Sequence, residues 1–304
     1  MSVQVIPFEA GEARLDWIGV TEAIAAGHAR PRAQVADVFL YRGGDTLLNR
    51  SAWIDGLGIA VKVCTVFPGN VAAGKTAIGG VVNLCSDSDG ALEAVLDFHL
   101  VTKWKTAGDS LLAARRLARP DSRKVLIVGA GTVGRSLHAA YGAAFPGAQF
   151  SIWNRTRAGA ERFCAEVPGV TLAGDLETAV RDADIVTCAT MSKEPLIRGD
   201  WLQPGTHLDL IGAYTPAMRE ADDTAIRKGR IFCDNRETVI NHIGELMDPI
   251  RTGVIGPDDV VADFYDLPSF RRHDDAEITV FKNGGGAHLD LMVSRHILET
   301  WQGR

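Results

Sequence analysis

Apolar and polar positions change rhythm part-way along the chain. Residues 15–30 (LDWIGVTEAIAAGHAR) read as a helix, and Pro31 follows its end. Short β-like runs come next at 35–41 (VADVFLY), 57–67 (LGIAVKVCTVF), 79–85 (GGVVNLC) and 93–101 (EAVLDFHLV), punctuated by Gly, Asn and Asp. Strands grouped in this way predict a mixed or antiparallel sheet rather than βαβ units. Residues 102–118 read as a helix, because Trp104, Ala107, Leu111 and Ala114 fall on one face. Pro120 disfavours helix at the residue before it, so the expected domain break lies at Arg119-Pro120.

From there strands and helices alternate. The runs at 125–129, 150–154, 170–174, 184–190, 207–213, 230–234 and 278–283 read as strands. Those at 133–145, 158–167 and 176–183 read as helices between them. This is the pattern of a doubly wound parallel sheet. The last run, 288–301, is helical and can return to the first domain. The expected fold is α/β: a Rossmann-type domain over 120–286, and an N-terminal α+β domain over 1–119 completed by 287–304.

Composition narrows the partners. The chain has 304 residues, 46% hydrophobic and 23% charged, with a formal net charge of −6. Those are ordinary globular proportions, and an acidic balance argues against nucleic acid or an anionic membrane. No apolar run approaches the length of a membrane span. The five cysteines show no C-x-x-C pair or zinc spacing, so reduced buried thiols, a cytoplasmic setting and no metal are expected.

Gly129-Ala130-Gly131-Thr132-Val133-Gly134 directly follows a strand and opens a helix, the context in which G-x-G-x-x-G binds a dinucleotide. Gly129 makes the tight turn, Gly131 admits the pyrophosphate, and Gly134 permits close helix–sheet packing. The free N–H groups at the helix start, including those of Thr132 and Val133, then face phosphate. Twenty residues beyond Gly134, where an NAD enzyme usually has an acid, stand Asn154, Arg155 and Thr156. Arg155 can pair with a 2′-phosphate, so NADP(H) is preferred and NAD(H) remains possible. Alternatively Arg155 is a solvated charge or stacks on adenine. Thr190 and Ser192, after the 184–190 run, complete the cofactor candidates.

Four stretches together resemble the ornithine cyclodeaminase/mu-crystallin family. They are 62–70 (KVCTVFPGN), 102–107 (TKWKTA), 212–216 (GAYTP) with Arg219-Glu220, and 281–287 (FKNGGGA) with Asp290. The resemblance implies a homodimer, a substrate and dimerisation domain at the N-terminus, and nicotinamide meeting a small imino- or amino-acid substrate between the domains. It also implies that Arg32, Lys62 and Lys105 grip the substrate carboxylate, although the family has arginine at the third position. Each hydrogen bond to such a charge contributes about 1.5–3 kcal/mol. Ordinary readings compete: Arg32 can be solvated, and Lys105 has i,i+4 spacing to Asp109. Lys62 lies inside an apolar run, where lysine is rarely buried without a purpose.

Tyr214 stands where cyclodeaminase members carry an aspartate. With an ordinary pKa of about 10, tyrosine is no general base at neutral pH. The expectation is therefore NAD(P)H-dependent reduction of a small 2-imino acid, such as Δ1-pyrroline-2-carboxylate or Δ1-piperideine-2-carboxylate. The rivals are an alanine-dehydrogenase-like or iminosuccinate-reducing enzyme, an ornithine cyclodeaminase, and a non-catalytic NADPH-binding protein. His288 is either an acid near the nicotinamide or a satisfied polar residue at a helix start. Arg50 is either a surface charge or the partner of a second substrate carboxylate.

Overall fold

The computed structural model describes residues 2–304. They form two compact units. The first takes the described residues through Lys105 together with Gly286–Arg304, and the second is Thr106–Gly285.

In the first unit six strands form a mixed sheet: β1 (Gln4–Ile6), β2 (Gln34–Arg42), β3 (Asp45–Ile54), β4 (Gly58–Val66), β5 (Ile78–Cys85) and β6 (Leu92–Asp97). Their order is β1-β6-β5-β4-β3-β2, antiparallel except for the β1–β6 pair. Alternate residues of β4, from Gly58 through Ala60 and Lys62 to Cys64, are buried. The helix Ala287–Trp301 contacts β3, β4 and β5 and also the helix Trp17–His28. β2 is an edge strand, and all nine of its residues are exposed.

Two expectations change here. β3 was not among the expected strands. Its sequence sets Leu47 beside Leu48 and puts Arg50 on the inward face, which breaks the apolar alternation, and pairing on both sides supplies what periodicity lacks. The run at 93–101 is not one strand either. β6 stops at Asp97, and a helix spans Phe98–Leu117. Asp97 Oδ1 accepts the N–H of Leu100 at 2.9 Å, a side-chain cap that starts the helix inside an apolar run.

That helix is shared between the units, so the division falls after Lys105, earlier than Arg119-Pro120. Its early turns pack within the first unit, where the Trp104 and Trp17 ring centroids lie 4.0 Å apart. Its later turns belong to the second, where Ser110 Oγ donates to Asp209 at 3.0 Å.

The second unit holds β7 (Lys124–Val128), β8 (Gln149–Trp153), β9 (Val170–Leu172), β10 (Ile185–Cys188), β11 (His207–Leu210), β12 (Arg230–Cys233), β13 (Val260–Ala262) and β14 (Thr279–Lys282). The order is β13-β12-β14-β11-β10-β7-β8-β9, with every pairing parallel. The sheet is doubly wound, as its strand–helix alternation predicts. The chain runs outward from β7 through β8 to β9, then returns to β10 on the other side of β7. Such a reversal opens a crevice at the carboxyl ends of the two strands, the usual ligand position in this architecture.

Candidate active site and dinucleotide cradle

The glycine turn sits at that reversal. Gly129 follows β7 with φ +115°, and a Cβ there would meet the Ala189 carbonyl oxygen at 2.5 Å. A side chain is excluded by both strain and space. A Cβ on Gly134 would lie 2.4 Å from the Gly129 oxygen, so the helix Thr132–Ala144 approaches the turn only because residue 134 has none. Gly131, by contrast, faces open space. It is the N-cap and offers no side-chain acceptor, so the first N–H groups of the helix have no cap from that residue. An open backbone face before a thirteen-residue helix fits a pyrophosphate.

Other residues fix the turn from behind. Asn154 Oδ1 accepts the N–H of Ala130 at 3.2 Å, and its Nδ2 donates to Thr156 O and Oγ1 at 3.0 and 2.9 Å. Arg135, absent from the sequence-based candidates, donates to the carbonyls of Ala130 and Gly131 at 3.0 and 3.1 Å and also bonds Glu166. Carbonyls held on that side leave the N–H groups to the other. Arg155 and Thr156 are exposed. Thr190 lies after β10, where its N–H and Oγ1 both donate to Glu220 Oε1 at 2.7 Å. Ser192 N–H donates to Thr190 Oγ1 at 3.4 Å. Glu220 Oε2 also takes the N–H of Gly212 at 2.6 Å, so one buried carboxylate ties the segments after β10 and β11. A groove of about 680 Å³ involving Lys124, Gln149 and Asp175 opens at the amino ends of β7 and β8, away from this turn.

The first unit carries a second concentration of charge. Lys62 Nζ donates to Thr102 Oγ1 at 2.7 Å and to Asp290 Oδ1 at 2.9 Å. Lys105 Nζ donates to Asp290 Oδ2 at 2.8 Å and approaches the Gly286 carbonyl at 3.4 Å. Lys62 also lies 4.4 Å from the Phe98 ring centroid. All three charged residues are buried. Burial pushes the Lys105 ammonium down to about 8; Asp290 opposes this, and Lys62 and Arg50 add to it. Burial would raise the Asp290 carboxyl, but Lys105, Lys62 and Arg50 together hold it down at about 2. Both members of the pair are therefore charged at neutral pH.

The remaining candidates separate. Arg32 is exposed on the segment before β2. Arg50 is neither a bare surface charge nor open to a second carboxylate: its Nε lies 3.0 and 3.1 Å from the two Asp37 oxygens. His288 is buried with its ring edge-on to His28 at 5.1 Å. Burial, with His28 and Lys105 nearby, holds it well below the usual histidine pKa, so it is no imidazolium donor at neutral pH. Tyr214 is 59% exposed. The sequence reading missed Asp290 as the shared counter-ion, although an acid inside the apolar run LDLMV was a legible signal.

Residues 54–304 match the ornithine cyclodeaminase/mu-crystallin family. The chain belongs to that family. It is 47% identical over 308 residues to a Δ1-pyrroline-2-carboxylate reductase of Paracoccus denitrificans, covering 99% of this chain and 98% of that one. An archaeal alanine dehydrogenase dimer with bound NAD superimposes with TM-score 0.89 at 26% identity, over 100% of this chain and 97% of that one. A Thermococcus litoralis Δ1-pyrroline-2-carboxylate reductase superimposes with TM-score 0.90 at 23% identity, over 99% and 98%, and shares the fold. The matched range includes Lys62, Lys105, Asp290 and the glycine turn. Among the described residues no helix is long and apolar enough to cross a membrane, and no group of His, Cys, Asp or Glu is arranged to hold a metal ion.

Proposed function

We propose that this chain reduces Δ1-pyrroline-2-carboxylate, and its six-membered homologue, to the cyclic L-amino acid. The end-to-end likeness to the Paracoccus reductase carries the reading, and the lysine cluster supplies its chemistry. Asp290 holds two ammonium groups within 2.9 Å of one carboxylate. A substrate carboxylate that meets them finds two charged donors already desolvated and oriented, which fixes the imine carbon for attack. Arg32 adds a third cation from the exposed segment before β2. The bound dinucleotide supplies the hydride. A cyclic imine arrives partly protonated from water, and Lys105, at about 8, can hold or return a proton at its Nζ near neutral pH. Tyr214 offers no carboxylate to assist ring closure with loss of ammonia, which argues against a cyclodeaminase.

Gly129, Gly131, Thr132, Val133 and Gly134 hold the pyrophosphate, and Asn154 and Thr156 line the ribose end. Thr190 and Ser192 line the far end of the dinucleotide. Arg155, exposed and with no acid in the 154–156 stretch, favours NADP(H) over NAD(H). The first unit, with the C-terminal helix, binds substrate and pairs with a second copy. Its edge strand β2 exposes Val35, Val38, Phe39, Leu40 and Tyr41, an apolar edge that a partner would cover.

The test is the loss of NADPH absorbance with each cyclic imine, beside NADH. Rapid oxidation with the five-membered ring, faster with NADPH than with NADH, is the expected result. Dinucleotide binding without NADPH oxidation in the presence of either ring imine would overturn the reading.

A further inference from the structure

One rung of the mixed sheet carries three charged residues in succession. Asp37 of β2 lies opposite Arg50 of β3, and Arg50 opposite Lys62 of β4. The rung continues into Val82 and Leu96. Residues directly opposed share a face, with Cβ atoms about 4.5–5.5 Å apart, and like charges so placed repel. The Arg50–Lys62 repulsion is relieved from two sides. Lys62 bonds Asp290. Arg50 spans both Asp37 oxygens through Nε, and its Nη2 lies 3.0 Å from Asp37 Oδ2. This planar fork is the geometry in which arginine grips a carboxylate.

The linked group therefore contains three cations (Arg50, Lys62 and Lys105) and two carboxylates (Asp37 and Asp290). In the single chain the arginine–aspartate pair is the less buried part of the group, with Asp37 on the edge strand that a second copy is proposed above to cover. The two side chains are 24% and 32% exposed, against 5% for Lys62 and 6% for Lys105.

We infer that Asp37 sets the substrate charge class of this site: it occupies the Arg50 guanidinium and so restricts turnover to imines with one carboxylate. The inference rests on the reductase reading above. Without the Asp37 carboxylate the group carries one more net positive charge. The Arg50 fork then faces the position of a second substrate carboxylate beside Lys62, as a linear dicarboxylic imine such as iminosuccinate would present.

The experiment compares full-length wild type with Asp37→Asn, using Δ1-pyrroline-2-carboxylate and iminosuccinate generated from oxaloacetate and ammonia, with saturating NADPH. Wild type should favour the ring imine. Asp37→Asn should shift the ratio of kcat/KM values at least tenfold towards iminosuccinate, mainly through KM, and adding Arg50→Gln should reverse the shift. Asp37→Ser serves if the asparagine variant folds poorly. A merely structural pair would lower both activities together. An unchanged ratio in a folded variant, or wild type already preferring iminosuccinate, would overturn the inference while leaving imine reduction intact. Wild type inert on both imines would instead remove the reductase reading, and this inference with it.

Discussion

In the first unit, Asp290 is satisfied by two ammonium groups at the ends of long side chains, Lys62 and Lys105. In the second, buried carboxylates are satisfied largely by peptide N–H groups. Glu220 takes those of Thr190 and Gly212, Glu245 those of Glu220 and Ala221, and Asp234 those of Asn235 and Gly285. Burial raises the carboxyl pKa of Glu245 to about 7, with Glu220 adding to the rise, and it also raises Glu220 and Asp234. Asp290, surrounded by full positive charges, goes the other way. Peptide donors cannot leave, so the second set fastens loops at the sheet's carboxyl end. Ammonium groups on rotatable stems can exchange one carboxylate for another, which is the property the proposed substrate site requires.

The largest effect should come from breaking the exchangeable set. Lys62→Met removes one of the two cations and leaves Asp290 with Lys105 alone. Steady-state kinetics should show kcat/KM for the cyclic imine falling about a thousandfold, the order expected when a charged hydrogen bond is lost and a buried carboxylate loses a partner. Dinucleotide affinity, read by fluorescence titration, should change less than about threefold. Wild-type-like turnover would remove Lys62 from the site.

Breaking the fixed set should act on a different step. Glu220→Gln has one acceptor oxygen where the carboxylate has two, so either the Thr190 or the Gly212 N–H loses its partner. A buried donor left unsatisfied costs about 1–3 kcal/mol. The dinucleotide KM should rise about tenfold, with kcat at saturating cofactor reduced far less. A loss confined to kcat would mean that this carboxylate does not act through the loops.

The smallest effect, and the most specific, concerns pH. Lys105 has its pKa lowered to about 8 in the folded chain against an ordinary 10.5, so its cation is present below about pH 8 and is lost above it. Carboxylate binding should therefore weaken as pH rises through 8, with substrate KM increasing severalfold by pH 9. The same shift means that the unfolded chain binds more protons between about 8 and 10.5, so this residue favours folding increasingly as pH rises through that window. Lys105→Arg, whose cation persists, should flatten the KM profile. An unchanged alkaline rise in that variant would assign the titration to another group.

Much of the second unit was legible because its code is local. A glycine turn after one apolar strand, with helices alternating thereafter, needs no distant information, and the parallel sheet follows. The first unit was less legible. β3 has no clean alternation, and the helix at Phe98 begins inside an apolar run because one aspartate caps it. Lys62 could be singled out from its apolar surroundings, and so could Asp290, but not their pairing, since they lie 228 positions apart.

By itself the sequence determined the strand–helix alternation, the glycine turn with Asn154, Arg155 and Thr156 beyond the second strand, and a lysine set inside an apolar run. Those features depend on residue type and spacing within a few turns of chain. Tertiary structure alone decided that Asp290 is shared by two lysines, that Arg135 holds the glycine turn and Glu220 the segments after β10 and β11, and that Asp37, Arg50 and Lys62 lie on one rung. Those contacts arise from strand register and from a helix returning at the chain's end. Electrostatics acts through space, so the charge of the site is fixed only when folding brings distant residues within hydrogen-bonding reach.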